Sequence, residues 1–163
     1  MRYLAPISRQ MRRLGLVVVL CVALSASVVA AGAHAQTRRG WARSANAVCA
    51  KGLAKVRAVV EDMQAHPPKT VRQWAVGYDK TIAAFAGMRR GIAAIPRPAK
   101  DRRRIADMVS ALGRGIREMR SVRRARLGRD LRALRRHLAR ARRFMGRADS
   151  IAAGLGADVC ANG

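Results

Sequence analysis

The apolar residues in the last third of the chain constrain its fold more than any other feature. Leu127, Leu131, Leu134, Leu138, Ala141, Met145, Ala148, Ala152 and Leu155 recur at alternating steps of four and three, which puts them on one face of a helix. At about 100° per residue, Arg129, Arg132, Arg136, Arg140, Arg143 and Arg147 gather on the opposite side. One face requires a core and the other requires water or negative charge. Cys160 lies just beyond the end of the stripe.

Three earlier segments repeat the pattern. Ser44 reads as the N-cap of a first helix reaching about Ala65, with Ala45, Val48, Cys49, Leu53, Val56, Val59, Val60 and Met63 at threes and fours. His66-Pro67-Pro68 stops it, because proline disfavours helical geometry in the residue before it and donates no backbone hydrogen bond. Thr70 and Gln73 form a capping box that opens a second helix to about Ile95. Its stripe is Val71, Trp74, Tyr78, Ile82, Phe85, Met88, Ile92 and Ile95. Gly77, Gly87 and Gly91 each cost this helix up to ~1 kcal/mol relative to alanine, and they either allow close approach of a neighbour or are simply tolerated. After Pro96-Arg97-Pro98, Pro98 and Asp101 suit the first turn of a third helix with Ile105, Met108, Val109, Leu112, Ile116 and Met119 on its apolar side. A turn near Leu127-Gly128-Arg129 separates it from a fourth helix over Arg129 to Ala153, which Gly154 and Gly156 end. Without that turn the two would fuse into roughly 55 helical residues, unusual in one globular domain.

Four amphipathic helices of similar length with short connections predict an all-α protein, an up-down-up-down antiparallel four-helix bundle. In that order the start of the first helix and the end of the fourth lie together, which are the places of Cys49 and Cys160. The two cysteines are therefore expected to form one disulfide, as they would in an oxidising compartment.

The compartment is read from the N-terminus. Residues 1–35 have the three parts of a secretory signal: Arg2, Arg9, Arg12 and Arg13, then the uncharged run Leu14 to Leu24, then Ala33-His34-Ala35 as a small-x-small cleavage site. The alternative is a retained anchor, since the uncharged run continues with smaller residues to Gly32. In either case residues 36–163 form the bundle domain and are exported, to the periplasm or beyond the cell. Cys21 falls inside the apolar run, leaving Cys49 and Cys160 as the cysteines of that domain.

Positive charge is the strongest functional signal. Without the leader, 30 Lys and Arg stand against 9 Asp and Glu. Arg97 to Arg147 holds 19 basic residues and 4 acids, against 11 and 3 in residues 36–96. The candidate anion-binding residues are Arg120, Arg124, Arg129, Arg132, Arg136, Arg140, Arg143 and Arg147. A field of this sign attracts phosphates and carboxylates, and arginine suits bidentate contacts with both. In an exported protein the expected partners are anionic lipids, glycopolymers or acidic proteins of the cell envelope, and a membrane surface is compatible with the same charge. Nucleic acid is disfavoured, because aromatics are not interleaved with the arginines and the compartment holds no genomic target. The same stripe would also appear on the solvated face of an arginine-rich bundle with no ligand, and a GC-rich genome favours arginine everywhere.

No catalytic constellation accompanies this charge. His66 sits beside two prolines, His137 lies at the margin of the fourth stripe, and neither has a partner at nucleophile, metal or acid/base spacing. Glu61-Asp62 is an adjacent pair whose side chains point about 100° apart. Motifs for di-iron, haem or phosphate-loop chemistry are missing from the sequence, so neither a cofactor nor a metal is expected, nor an enzyme. An envelope chaperone-like or stress-related protein with an apolar client surface is the first alternative function, and an enzyme or cofactor carrier the second.

The neighbourhoods Ser44-Ala45-Asn46-Ala47-Val48-Cys49 and Leu155-Gly156-Ala157-Asp158-Val159-Cys160, set among alanine- and arginine-rich helices with a Pro-bounded middle turn, resemble small secreted helical proteins of high-GC bacteria. The resemblance implies a secreted helical protein and brings no active-site residues with it.

Overall fold

In the computed structural model, residues 36–162 are described and the expected leader, residues 1–35, lies outside them. The described chain is helical: α1 Arg38–Ala65, α2 Val71–Ala94, a 3-10 turn Ala99–Asp101, α3 Arg102–Leu127, α4 Leu131–Ala153 and a short α5 Asp158–Ala161. Residues 36–162 carry their own core and make a compact unit by themselves.

Local chemistry explains most of the helix ends. The Thr70 hydroxyl accepts from the Gln73 amide at 3.1 Å while the Gln73 side chain accepts from the Thr70 amide at 3.1 Å, the reciprocal box expected there. α3 and α4 both close with a paired bond pattern around a left-handed residue. At the first, Asp130 N donates to Ala125 O and Arg129 N to Arg126 O, with Arg129 at φ 57°. At the second, Ala157 N donates to Ala152 O and Gly156 N to Ala153 O, with Gly156 at φ 77°. The turn between α3 and α4 is therefore where it was expected, but arginine rather than Gly128 takes the left-handed conformation.

Two expected boundaries move. α1 begins two turns before Ser44, because the Thr37 hydroxyl accepts from Gly40 N at 3.0 Å and the added turns bury Trp41 and Ala42. α4 starts at Leu131 rather than Arg129, with the Asp130 carboxylate accepting from Ala133 N at 2.8 Å. Asp101 caps nothing at α3. It is buried and bound by Arg38, whose Nε and Nη2 donate at 2.8 and 2.6 Å.

The four long helices pack in chain order, α1 on α2, α2 on α3 and α3 on α4. Side chains seated on glycines show that neighbours run in opposite directions. Met63 meets Gly77, Met88 meets Gly52 and Val48 meets Gly91 between α1 and α2, and Met145 meets Gly115 between α3 and α4. Gly77 and Gly91 thus permit close approach, whereas Gly87 faces open space. α3 has helices on two sides and the widest buried face, including Ile105, Met108, Ala111, Leu112, Ile116, Met119 and Val122.

α1 and α4 share no comparable interface, and α5 bridges them. Cys160 on α5 is disulfide-bonded to Cys49 on α1, with 5.2 Å between Cα atoms. The core is concentrated at this end, where Trp41, Cys49, Ile92, Ile105, Met108, Ala152 and Leu155 meet. The distal cluster is smaller: Ile82, Ile116, Met119 and Ala141. This imbalance corrects the seam of α4. Ala141, Ala148, Ala152 and Leu155 are buried, but Leu127 and Leu131 are 38% and 58% exposed because no α1 surface covers them.

Candidate anion-binding surface

The helical spacing that buries Ala141, Ala148 and Ala152 turns the arginines of α4 outward. Arg132, Arg136, Arg140, Arg143 and Arg147 are exposed along one side of α4, and Arg129 is exposed in the turn that precedes it. Arg120 and Arg124 are exposed on α3, where Arg124 Nη2 donates to Ser121 Oγ at 2.8 Å. Among the described residues none of these eight is in an ion pair. The acids pair elsewhere: Asp101 with Arg38, Asp62 with His66 and Lys80, Asp79 with Arg123, and Glu118 with His137. Guanidinium groups left without carboxylates keep their field available to an external anion.

Among the described residues three arginines also lie over aromatic rings. Arg114 and Arg143 lie 5.2 and 5.6 Å from the Phe144 ring centroid, and Arg126 lies 5.8 Å from that of Trp74. Trp74 in turn stacks on Tyr78 at 4.7 Å. Burial of the Tyr78 ring pushes its hydroxyl pKa up. Arg123 Nε sits 2.6 Å from Asp79, tying α2 to α3 near this stack.

Sequence spacing gave no sign of a partner for His137, yet its Nδ1 lies 2.6 Å from Glu118 Oε2 across the α3–α4 interface. The pair is partly buried and belongs to the packing of the two helices. Among the described residues no group of three or more His, Cys, Asp or Glu is placed to hold a metal ion.

A cavity of about 110 Å³ lies beside the disulfide, lined by Cys49, Leu53, Phe85, Met88, Met108, Met145 and Cys160 among others. Among the described residues its lining carboxylate is Asp149, whose pKa is raised because burial disfavours the charged form. Asp101 behaves oppositely: the hydrogen bonds from Arg38 hold its pKa below the ordinary value, outweighing burial.

Comparison with protein-family models, curated proteins and solved structures gives no match. Among the described residues no helix is long and apolar enough to cross a membrane.

Proposed function

We propose that the protein is an exported, non-catalytic helical bundle that binds anionic components of the cell envelope through the arginine face of α4 and the adjoining arginines of α3. On this reading residues 1–35 are a signal peptide and the mature chain is an up-down-up-down bundle closed by Cys49–Cys160. The observation that carries the proposal is the set of eight exposed arginines, Arg120 through Arg147, without a carboxylate partner among the described residues. The envelope ligands that suit it are lipid head groups, acidic glycopolymers and acidic proteins. Exposed charges interact over about a Debye length, ~10 Å at 0.1 M salt, so binding is strongest at low ionic strength. Retention on anionic vesicles or polymers across a salt series tests the reading, and absence of retention at low salt refutes it.

A chaperone-like role is the second reading, favoured by exposed Val60, Val76, Leu127 and Leu131. Suppression of client aggregation by the native protein, together with binding of an apolar dye, is its test.

A further inference from the structure

Exposed apolar side chains on this molecule are not scattered. Among the described residues five large ones are exposed: Val60, Val76, Leu127 and Leu131 lie near the end formed by the α1–α2 and α3–α4 connections, and Val159 lies at the disulfide end. Val60 and Val76 are each five residues from a helix end, a depth of about 7.5 Å at 1.5 Å per residue. Leu127 and Leu131 flank the α3–α4 turn itself. Singly exposed leucines need no explanation, but four apolar side chains gathered at one end do.

The same end carries exposed cations from both connections: Lys69 and Arg72 beside one, Arg124, Arg126, Arg129 and Arg132 around the other. Of the acids near this end, Asp62 lies against His66 and Lys80, Asp79 against Arg123, and Asp130 caps α4, while Glu61 is exposed beside Val60; the exposed cations outnumber them. Trp74, stacked on Tyr78 beneath Arg126, adds the amphipathic aromatic character that favours a bilayer interface.

We infer that this distal end docks onto an anionic lipid bilayer, tilted toward the α4 arginine face, with Leu127 and Leu131 entering the head-group region and the surrounding cations meeting lipid phosphates. The inference rests on the anion-binding reading and deepens it by naming lipid as the ligand. A soluble polyanion would use the arginines but leave the leucines in water. A second copy of this chain would bring like charges together. A bilayer satisfies both features, because an amphipathic surface enters it by about 5–10 Å while its cations stay at the phosphates.

The test uses the oxidised chain from Gln36 onward, vesicles of phosphatidylglycerol, and soluble polyphosphate. Leu127→Ser with Leu131→Ser should weaken vesicle binding by roughly tenfold, the loss expected for two partly inserted leucines, and leave polyphosphate binding unchanged. Leu127 is only 38% exposed, so a melting curve establishes that the variant is folded at the assay temperature, and Val76→Ser, at a side chain 59% exposed, provides a second probe with a smaller loss in the same direction. Lipids brominated in the upper acyl chain should quench Trp74, since Trp41 is fully buried at the opposite end. Unchanged vesicle affinity in the leucine variant, no quenching, or parent binding to polyphosphate but not vesicles overturns the docking while leaving the charge reading intact. Binding of the parent to neither overturns both.

Discussion

Breaking the Cys49–Cys160 disulfide should cost the protein a large part of its stability, for a reason specific to this arrangement. α1 and α4 have no substantial direct interface, so α5 and its disulfide close the bundle at that edge. The two cysteines are 111 residues apart in sequence, and the loop-closure relation gives about 4.8 kcal/mol at ~25 °C for a loop of that length. With an unfolding entropy of ~2.1 cal/mol/K per residue over about 127 residues, that loss lowers Tm by about 18 °C. The assay is thermal unfolding followed by far-ultraviolet circular dichroism, with and without reductant. A Cys49→Ala/Cys160→Ala variant measured in parallel separates the bond from reagent effects. A fall of only a few degrees in both, or two titratable thiols in the native protein, would overturn this assignment of stability to the bond.

Three further outcomes follow from the packing and the acids. Gly52→Ala and Gly91→Ala should destabilise, because a new Cβ would collide with Met88 and with the stiff Val48 side chain, whereas Gly87→Ala, facing open space, should stabilise by up to ~1 kcal/mol; chemical denaturation of the three variants checks the contrast. Burial raises the pKa of Asp149, so the folded state holds its proton more tightly than the unfolded chain and loses stability as pH rises from the unfolded value through the raised one; Asp149→Asn should therefore gain on the parent at neutral pH and lose that advantage near pH ~3, by comparative melting. Asp101 has the opposite sign: its lowered pKa gives stability that is present above the unfolded value and lost as pH falls through the folded one, so Asp101→Asn should be the less stable at neutral pH and should flatten the acid limb of the melting profile.

What could be read in the sequence was what rests on neighbours along the chain. The Thr70–Gln73 box, the stop at His66-Pro67-Pro68 and the α3–α4 turn depend on residues a few positions apart, and each is where local chemistry puts it. The cysteine pair was legible because helix count and connection length placed both residues at one end. The first turns of α1 were missed because the apolar pattern begins only at Trp41, after Thr37 and two arginines that carry no periodic signal. The His137–Glu118 pair, the Arg38–Asp101 clamp and the carboxylate in the cavity depend on the register between helices, which stripe periodicity leaves open. The same limit explains Leu127 and Leu131. Their spacing identifies a seam, but only the fold reveals that this part of it is left exposed, α1 and α4 meeting chiefly in the core at the disulfide end.

The arginine face was legible in direction, while its use as a binding surface requires a comparison that removes charge from two places equally. Arg132, Arg136, Arg140 and Arg143 of α4 and Arg43, Lys51, Lys55 and Arg57 of α1 are all exposed, so glutamine at either set takes away the same charge without disturbing the core. The decisive measurement is the salt dependence of binding to anionic vesicles for the parent and these two variants. The α4 variant should bind more weakly and with a shallower salt slope, while the α1 variant stays close to the parent. Equal losses in both would contradict the binding role, leaving the stripe on α4 as a solvated face that contributes only to overall charge.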